Sequence, residues 1–365
     1  MNLREAYSAS YDVARARFRG TADAAGAVRE HDELESPGQR KGSLTIDIAT
    51  VGSDQPRWVI VVSSGLHGVE GYFGSAVQLA WLARFTSSRS TLDNEGRCVL
   101  VHGINPYGFR EARRSNEDNV DLNRNFLHAA GDYQGAPDGY RALDGLLNPA
   151  SPPSEGEPFY IKALWQIWRH GLPALKSSIA GGQYDFPRGL FYGGREPARS
   201  AKIVQDNFAR WIAGAADVLH IDLHSGLGKY GDYKLLVNDA PGSMAIDWYR
   251  QVFGKGSVEA AAHADGTAYR TEGSMGEWLA REFAHINYRF ANAEFGGHNI
   301  LRVLAALRAE NRAHHYGQPD EDSYGRAKAE LRECFCPADT RWRETVLQRA
   351  LGIIDQGCAA IPFRQ

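Results

Sequence analysis

The run Trp58-Val-Ile-Val-Val-Ser-Ser64 constrains this chain more than any other stretch. Seven consecutive uncharged residues, most of them β-branched, suit a strand covered on both faces. Gly65 ends the run, and Val69, Phe73, Val77, Leu79, Ala80 and Leu82 then follow a helical period. A buried strand feeding a helix is the building unit of an α/β sheet, where ligands gather beyond the carboxyl ends of the strands. His67 falls in the turn and Glu70 in the first helical turn. An imidazole and a carboxylate so spaced can face one ion. A turn histidine beside an acid that favours a helix N-terminus accounts for the pair equally well.

Further strands follow from the same reasoning. Ser43 to Thr50 alternates apolar and polar residues, which predicts a strand with one exposed face, whereas residues 3 to 36 read as one or two helices. Val99-Leu-Val-His-Gly-Ile is a second buried strand, stopped by Asn105-Pro106 because proline cannot continue a central ladder. In Val218-Leu-His220-Ile-Asp222-Leu-His224, period two puts His220, Asp222 and His224 on one face, with His224 at the exit. A helical histidine pair would have the same i, i+4 spacing, but the β-branched, glycine-bounded context favours a strand. His220 lies deeper and reads as a satisfied core histidine, or one that supports a ligand, rather than a ligand itself. Tyr233 to Val237 continues the sheet, and Ile286 to Phe295 closes it with Glu294 at its exit, where a surface acid before Gly296-Gly297 is the plain reading.

Two stretches stand apart. Arg110 to Phe126 packs arginines and amides together just past a strand end: it is either a solvated charged loop or a device for holding a carboxylate or oxyanion. Residues 127–216 begin rich in glycine and proline and then turn helical, which predicts an insertion facing the substrate within a single domain spanning 1–365. A helical segment, 300–357, closes the chain.

Composition narrows the function. A net charge of −3 with no basic run gives no nucleic-acid footprint, and no stretch has the length and apolarity of a membrane span. The charged amino terminus lacks a signal core. Cys98, Cys334, Cys336 and Cys358 lack zinc-knuckle spacing and read as reduced, structural thiols of a cytoplasmic protein. Polar residues recur at four strand exits: His67 with Glu70, Asn105 leading to Arg124, His224, and Glu294. That convergence points to a metal held by two histidines and a glutamate, with a further glutamate as base.

With these motifs the chain resembles the zinc metallocarboxypeptidases of the carboxypeptidase A type, in a bacterial branch, and the related aspartoacylase-like deacylases. His67-Gly-Val-Glu70 and His224-Ser225 match the family's zinc ligands; Asn105-Pro-Tyr-Gly108, Arg114-Ser-Asn116 and Asp121-Leu-Asn123-Arg124-Asn125-Phe126 match its substrate-binding run. The resemblance implies a mixed, mostly parallel twisted α/β sheet flanked by helices and one Zn2+ per chain on His67, Glu70 and His224. It gives Glu294 the role of general base and Arg114 that of polarising the scissile carbonyl. Asn123 and Arg124 grip a substrate carboxylate, and Asp121 orients His67. The family's substrate-capping tyrosine has its nearest counterpart in Tyr269, which is offset. The implied substrate is a small peptide or an acylated amino acid with a free carboxylate, the latter making the chain an N-acyl amino-acid deacylase. A non-catalytic metal- or ligand-binding relative is the rival reading, and the retained base argues against it.

Overall fold

The computed structural model describes residues 3–34, 43–87, 92, 94–154, 156–260 and 272–361. Among them, the strands β1 (Val28–Leu34), β2 (Leu44–Gly52), β3 (Trp58–Ser64), β4 (Gly96–His102), β5 (Asp217–Ser225), β6 (Tyr233–Val237), β7 (Val258–Ala260) and β8 (Asn287–Phe295) form one sheet. Their order is β1-β2-β4-β3-β5-β8-β6-β7. The pairs β3·β4, β3·β5, β5·β8 and β6·β7 are parallel and the other three antiparallel, so the sheet is mixed and mostly parallel.

The order decides where chemistry can sit. From β3 the chain passes through the helix Gly71–Ser87 to β4 on one side, whereas β5 pairs with β3 on the other. A crevice opens where strand connections diverge in this way. Helices cover both faces of the sheet, as the uncharged, fully buried β3 requires. On one face Gly357, in the helix Thr340–Ala360, lies so near β3 and β5 that a Cβ there would stand 2.9 Å from the Leu219 side chain. On the other, Phe208 of the helix Arg199–Trp211 stacks on His220 with ring centroids 5.4 Å apart.

Two expectations change. Residues 28–34 form an edge strand rather than helix; the sequence VREHDEL is charged because its side chains lie largely in solvent, which also protects an edge from pairing with other chains. β2 is buried on both faces, not one. Its polar residues are paired instead of solvated: Tyr11 Oη donates to the Thr45 carbonyl at 3.1 Å, and Arg19 Nε to Asp47 Oδ1 at 2.6 Å. The three-residue β7 gave no sequence signal. Tyr269 lies outside the described residues.

Residues 127–216 contain the helices Asp138–Leu147, Phe159–His170, Leu172–Ala180 and Arg199–Trp211. The carboxyl-terminal part holds Ile300–Tyr316, Asp322–Phe335 and Thr340–Ala360. A second apolar cluster joins these two regions, with Leu143, Leu147, Leu175 and Ile179 against Val303, Leu307, Leu331 and Phe335. Among the described residues, no helix is long and apolar enough to cross a membrane.

Candidate active site

The turn after β3 is fixed by close backbone packing. Gly65 adopts φ +69°, which a side chain would resist, and a Cβ on Gly68 would lie 2.1 Å from the carbonyl carbon of Gly108. Gly68 N donates to Arg114 O at 3.1 Å and Val69 N to Arg113 O at 2.7 Å. Asn105 completes the junction: its Oδ1 accepts from Gly108 N at 2.8 Å and its Nδ2 donates to Arg114 O at 3.1 Å. The polar stretch read from the sequence therefore wraps the turn that presents His67 and Glu70.

His67, Glu70 and His224 converge. One donor atom from each lies within 4.8 Å of the other two, and all three residues are buried. Two imidazoles and a carboxylate form the donor set of a catalytic zinc site, so these residues fit that ion. Register brings in the fourth group: His224 of β5 stands opposite Glu294 of β8. Both lie at strand exits, as period two predicts.

Hydrogen bonds fix the protons. A guanidinium can only donate, so Arg114 Nη2, 2.8 Å from His67 Nε2, leaves the His67 proton on Nδ1, 3.2 Å from Asp121 Oδ1. Burial, reinforced by Arg114, lowers the His67 pKa against the pull of Asp121 and Glu70. His224 differs. Its Nε2 lies 2.6 Å from Asp222 Oδ2 and its Nδ1 3.1 Å from Glu70 Oε2. Burial works against its charge, yet Asp222 and Glu70 outweigh it and raise the pKa well above the usual histidine value. His224 Nδ1 and Glu70 Oε2 thus face each other beside the position a shared cation would take.

Glu294 is buried, and its Oε1 accepts from Leu227 N at 2.9 Å. Burial first, then the Glu70 carboxylate, raises its pKa to about 7, while His224 pulls the other way. Asp121 is held well below the usual carboxylate range: burial opposes ionisation, but Arg114, His67 and Arg124 overcome it.

The arginines occupy places the sequence did not specify. Arg114 sits within the cluster, with Nε 2.9 Å from Asp121 Oδ2 and Nη1 3.7 Å from Glu70 Oε1. Arg124 lines the same cavity, but its Nε and Nη2 donate to the Ala180 carbonyl and its Nη1 to the Asn123 carbonyl. The Asn123 amide oxygen accepts from Met275 N at 3.1 Å, tying this run to the helix Met275–Glu282.

Asp222 was not singled out, although its place on the His224 face was legible. It accepts from Ser63 Oγ at 2.5 Å as well as from His224. Ser63 Oγ in turn lies 2.7 Å from His220 Nε2, and His220 Nδ1 2.8 Å from Tyr288 Oη. His220 is thus the satisfied core histidine expected.

A family model described as "Protein of unknown function (DUF2817)" matches residues 7–349. No curated protein matches the chain. Among solved structures, thrombin activatable fibrinolysis inhibitor is 13% identical, with 97% of this chain and 74% of that one covered at a TM-score of 0.52. Carboxypeptidase A from Helicoverpa armigera is 14% identical, covering 96% and 74% at a TM-score of 0.46. A metallo-carboxypeptidase from Burkholderia cenocepacia is 12% identical, covering 97% and 70% at 0.46. The first of these likenesses establishes the fold and agrees with the mixed, mostly parallel sheet that the motifs implied.

Proposed function

This chain belongs to the DUF2817 family, and from that premise we propose that it is a zinc-dependent hydrolase that cleaves an amide bond next to a free carboxylate. The observation that carries this reading is the buried cluster of His67, Glu70 and His224, with Glu294 in register beside His224. A zinc ion held by the three residues would lower the pKa of a water toward ~7 and polarise a carbonyl.

The protein's own groups do the remaining work. Glu294, its pKa raised to about 7, accepts the proton of the attacking water and passes it to the leaving amine. Asp222 and Asp121 hold the imidazoles of His224 and His67 and fix which nitrogen faces the centre. Arg114 Nη2, 2.8 Å from His67 Nε2, would be a donor for the developing oxyanion with His67 holding the metal. Asn123 and Arg124, on the cavity wall, meet the substrate carboxylate.

A second reading within the same chemistry is an N-acyl amino-acid deacylase. It is favoured by the depth of the cluster: His67 is 4%, Glu70 2%, His224 3% and Glu294 8% exposed. A small amide suits such a closed site better than a long peptide. The free, buried cysteines fit a reducing, cytoplasmic setting for either.

The test has two parts. Elemental analysis of the purified chain should find one zinc, lost in His67→Ala and His224→Ala proteins. Zinc-loaded protein should cleave carboxyl-terminal dipeptides or N-acyl amino acids, with metal-stripped protein as the control. Full zinc occupancy in both variants would remove the ligand assignment. Zinc held normally with no cleavage of either class would remove the hydrolase.

A further inference from the structure

The cluster is one end of a larger cavity of ≈ 150 Å³. Its other end is walled by helices that belong to 127–216 and to the carboxyl-terminal part. Leu147, Ala163, Ile167 and Ile179 come from the first region, and Leu304 from the second. Phe335 lies at the end of the helix Asp322–Phe335. Among the described residues that these helices contribute to the wall, Gln166 is the one polar side chain. Charged groups on the wall are confined to the end formed by His67, Glu70, Arg114, Arg124, His224 and Glu294.

Such a chamber discriminates by chemistry. A charged substrate group placed there would lose its hydration and gain no partner. An apolar group gains about fourfold in affinity for each methylene removed from water. An apolar cavity of ~150 Å³ holds a ring the size of benzene; here the charged end shares that volume, so the apolar end suits a group of about that size at most.

We propose that the chamber receives an apolar group of up to about six or seven carbons carried next to the scissile amide. This rests on the hydrolase reading above and names its substrate class. An acyl chain on the carbonyl side and a leucine- or phenylalanine-like side chain share the required chemistry.

Two ligand series separate these sources: N-acylglycines from acetyl to decanoyl, and N-acetyl amino acids from glycine through leucine to phenylalanine. Binding is measured by titration calorimetry on metal-free protein, where no turnover interferes, and kcat/KM on zinc-loaded protein. One series should climb, by on the order of 10²-fold from acetyl to hexanoyl if it is the acyl series, with a negative heat-capacity change, and then level off. A climbing acyl series identifies a deacylase, and a climbing side-chain series a peptidase. Ala163→Phe, which fills the chamber, should lower hexanoyl or phenylalanyl affinity at least tenfold more than acetylglycine affinity. Leu304→Ala, at a less buried wall position, should move the optimum to a longer group, and it serves if the first variant does not fold. Flat affinity along both series, or an optimum indifferent to either variant, overturns the chamber. Length-dependent binding without cleavage leaves the chamber standing and sinks the hydrolase, whereas cleavage without length dependence does the reverse.

Discussion

The turn after β3 and the residues of β5, β6 and β8 that face it build the floor of the cavity, while the helices Asp138–Leu147, Phe159–His170, Leu172–Ala180 and Ile300–Tyr316 build its roof. On the floor each functional group is held by directed bonds: Asp222 on His224, Leu227 N on Glu294, Ser225 N on Glu70 Oε2 at 3.1 Å. The roof is held mainly by non-directional apolar packing, pinned along one helix where Arg308 pairs with Glu157 and donates to the Leu146 carbonyl, and Arg312 pairs with Glu157 and donates to the Ser151 and Pro152 carbonyls. A floor so made fixes atoms closely, as the proposed proton transfer would require. A roof of packed side chains fixes a volume, and can change shape without disturbing the groups on the floor.

The contrast can be broken experimentally. Glu294→Gln should keep the fold and the zinc and lose ~10²–10⁴-fold in turnover, because an amide cannot accept the proton. Near-normal kcat would take Glu294 out of the mechanism. Leu147→Ala, at a residue 1% exposed, should cost about 2–5 kcal/mol in chemical denaturation. It should leave zinc affinity nearly as it was; a matching loss of zinc affinity would mean that floor and roof are one unit.

Asp222→Asn should weaken zinc binding ~10–100-fold, since it removes the carboxylate that holds His224, and should not change the preferred substrate group. A competition titration with a chelator reads the affinity, and an unchanged value would assign Asp222 to packing alone. The smallest effect concerns pH. Hydrogen bonds from Arg308, then Arg312, lower the Glu157 pKa from 4.5 to about 2. A depressed carboxylate stabilises the fold above its unfolded value, so this contribution is present above pH 4.5 and is lost as pH falls toward 2. Hydrogen exchange in residues 156–172 should quicken in that window before β3 or β5 does, and Glu157→Gln should show the quickening already at neutral pH. Simultaneous loosening of strands and roof would contradict the comparison.

How legible these regions were differs in the same way. The strand exits that carry His67 with Glu70, His224 and Glu294 could be placed because each follows or ends a run whose period fixes the strand. β1 could not be, since VREHDEL carries the charges of an exposed edge and hides its pairing with β2. Asp222 was visible on the right face, but nothing local said that its carboxylate would meet both Ser63 and His224, 159 and 2 residues away. Arg124 reads in sequence as a group kept for substrate; its bonds to the Ala180 carbonyl, 56 residues away, appear only in the fold.

The sequence by itself determined the strands at the heart of the sheet, the donor types at their ends and the motifs that imply the fold, because periods of 2 and 3.6 residues are local properties of the backbone. Tertiary structure decided which strands became neighbours, which partner each histidine nitrogen meets, and that the apolar faces of helices as far apart as Asp138–Leu147 and Ile300–Tyr316 meet over the cluster of His67, Glu70 and His224. An amphipathic pattern specifies that a helix must bury one face. It carries no information about the partner, which is chosen by the packing of the whole chain.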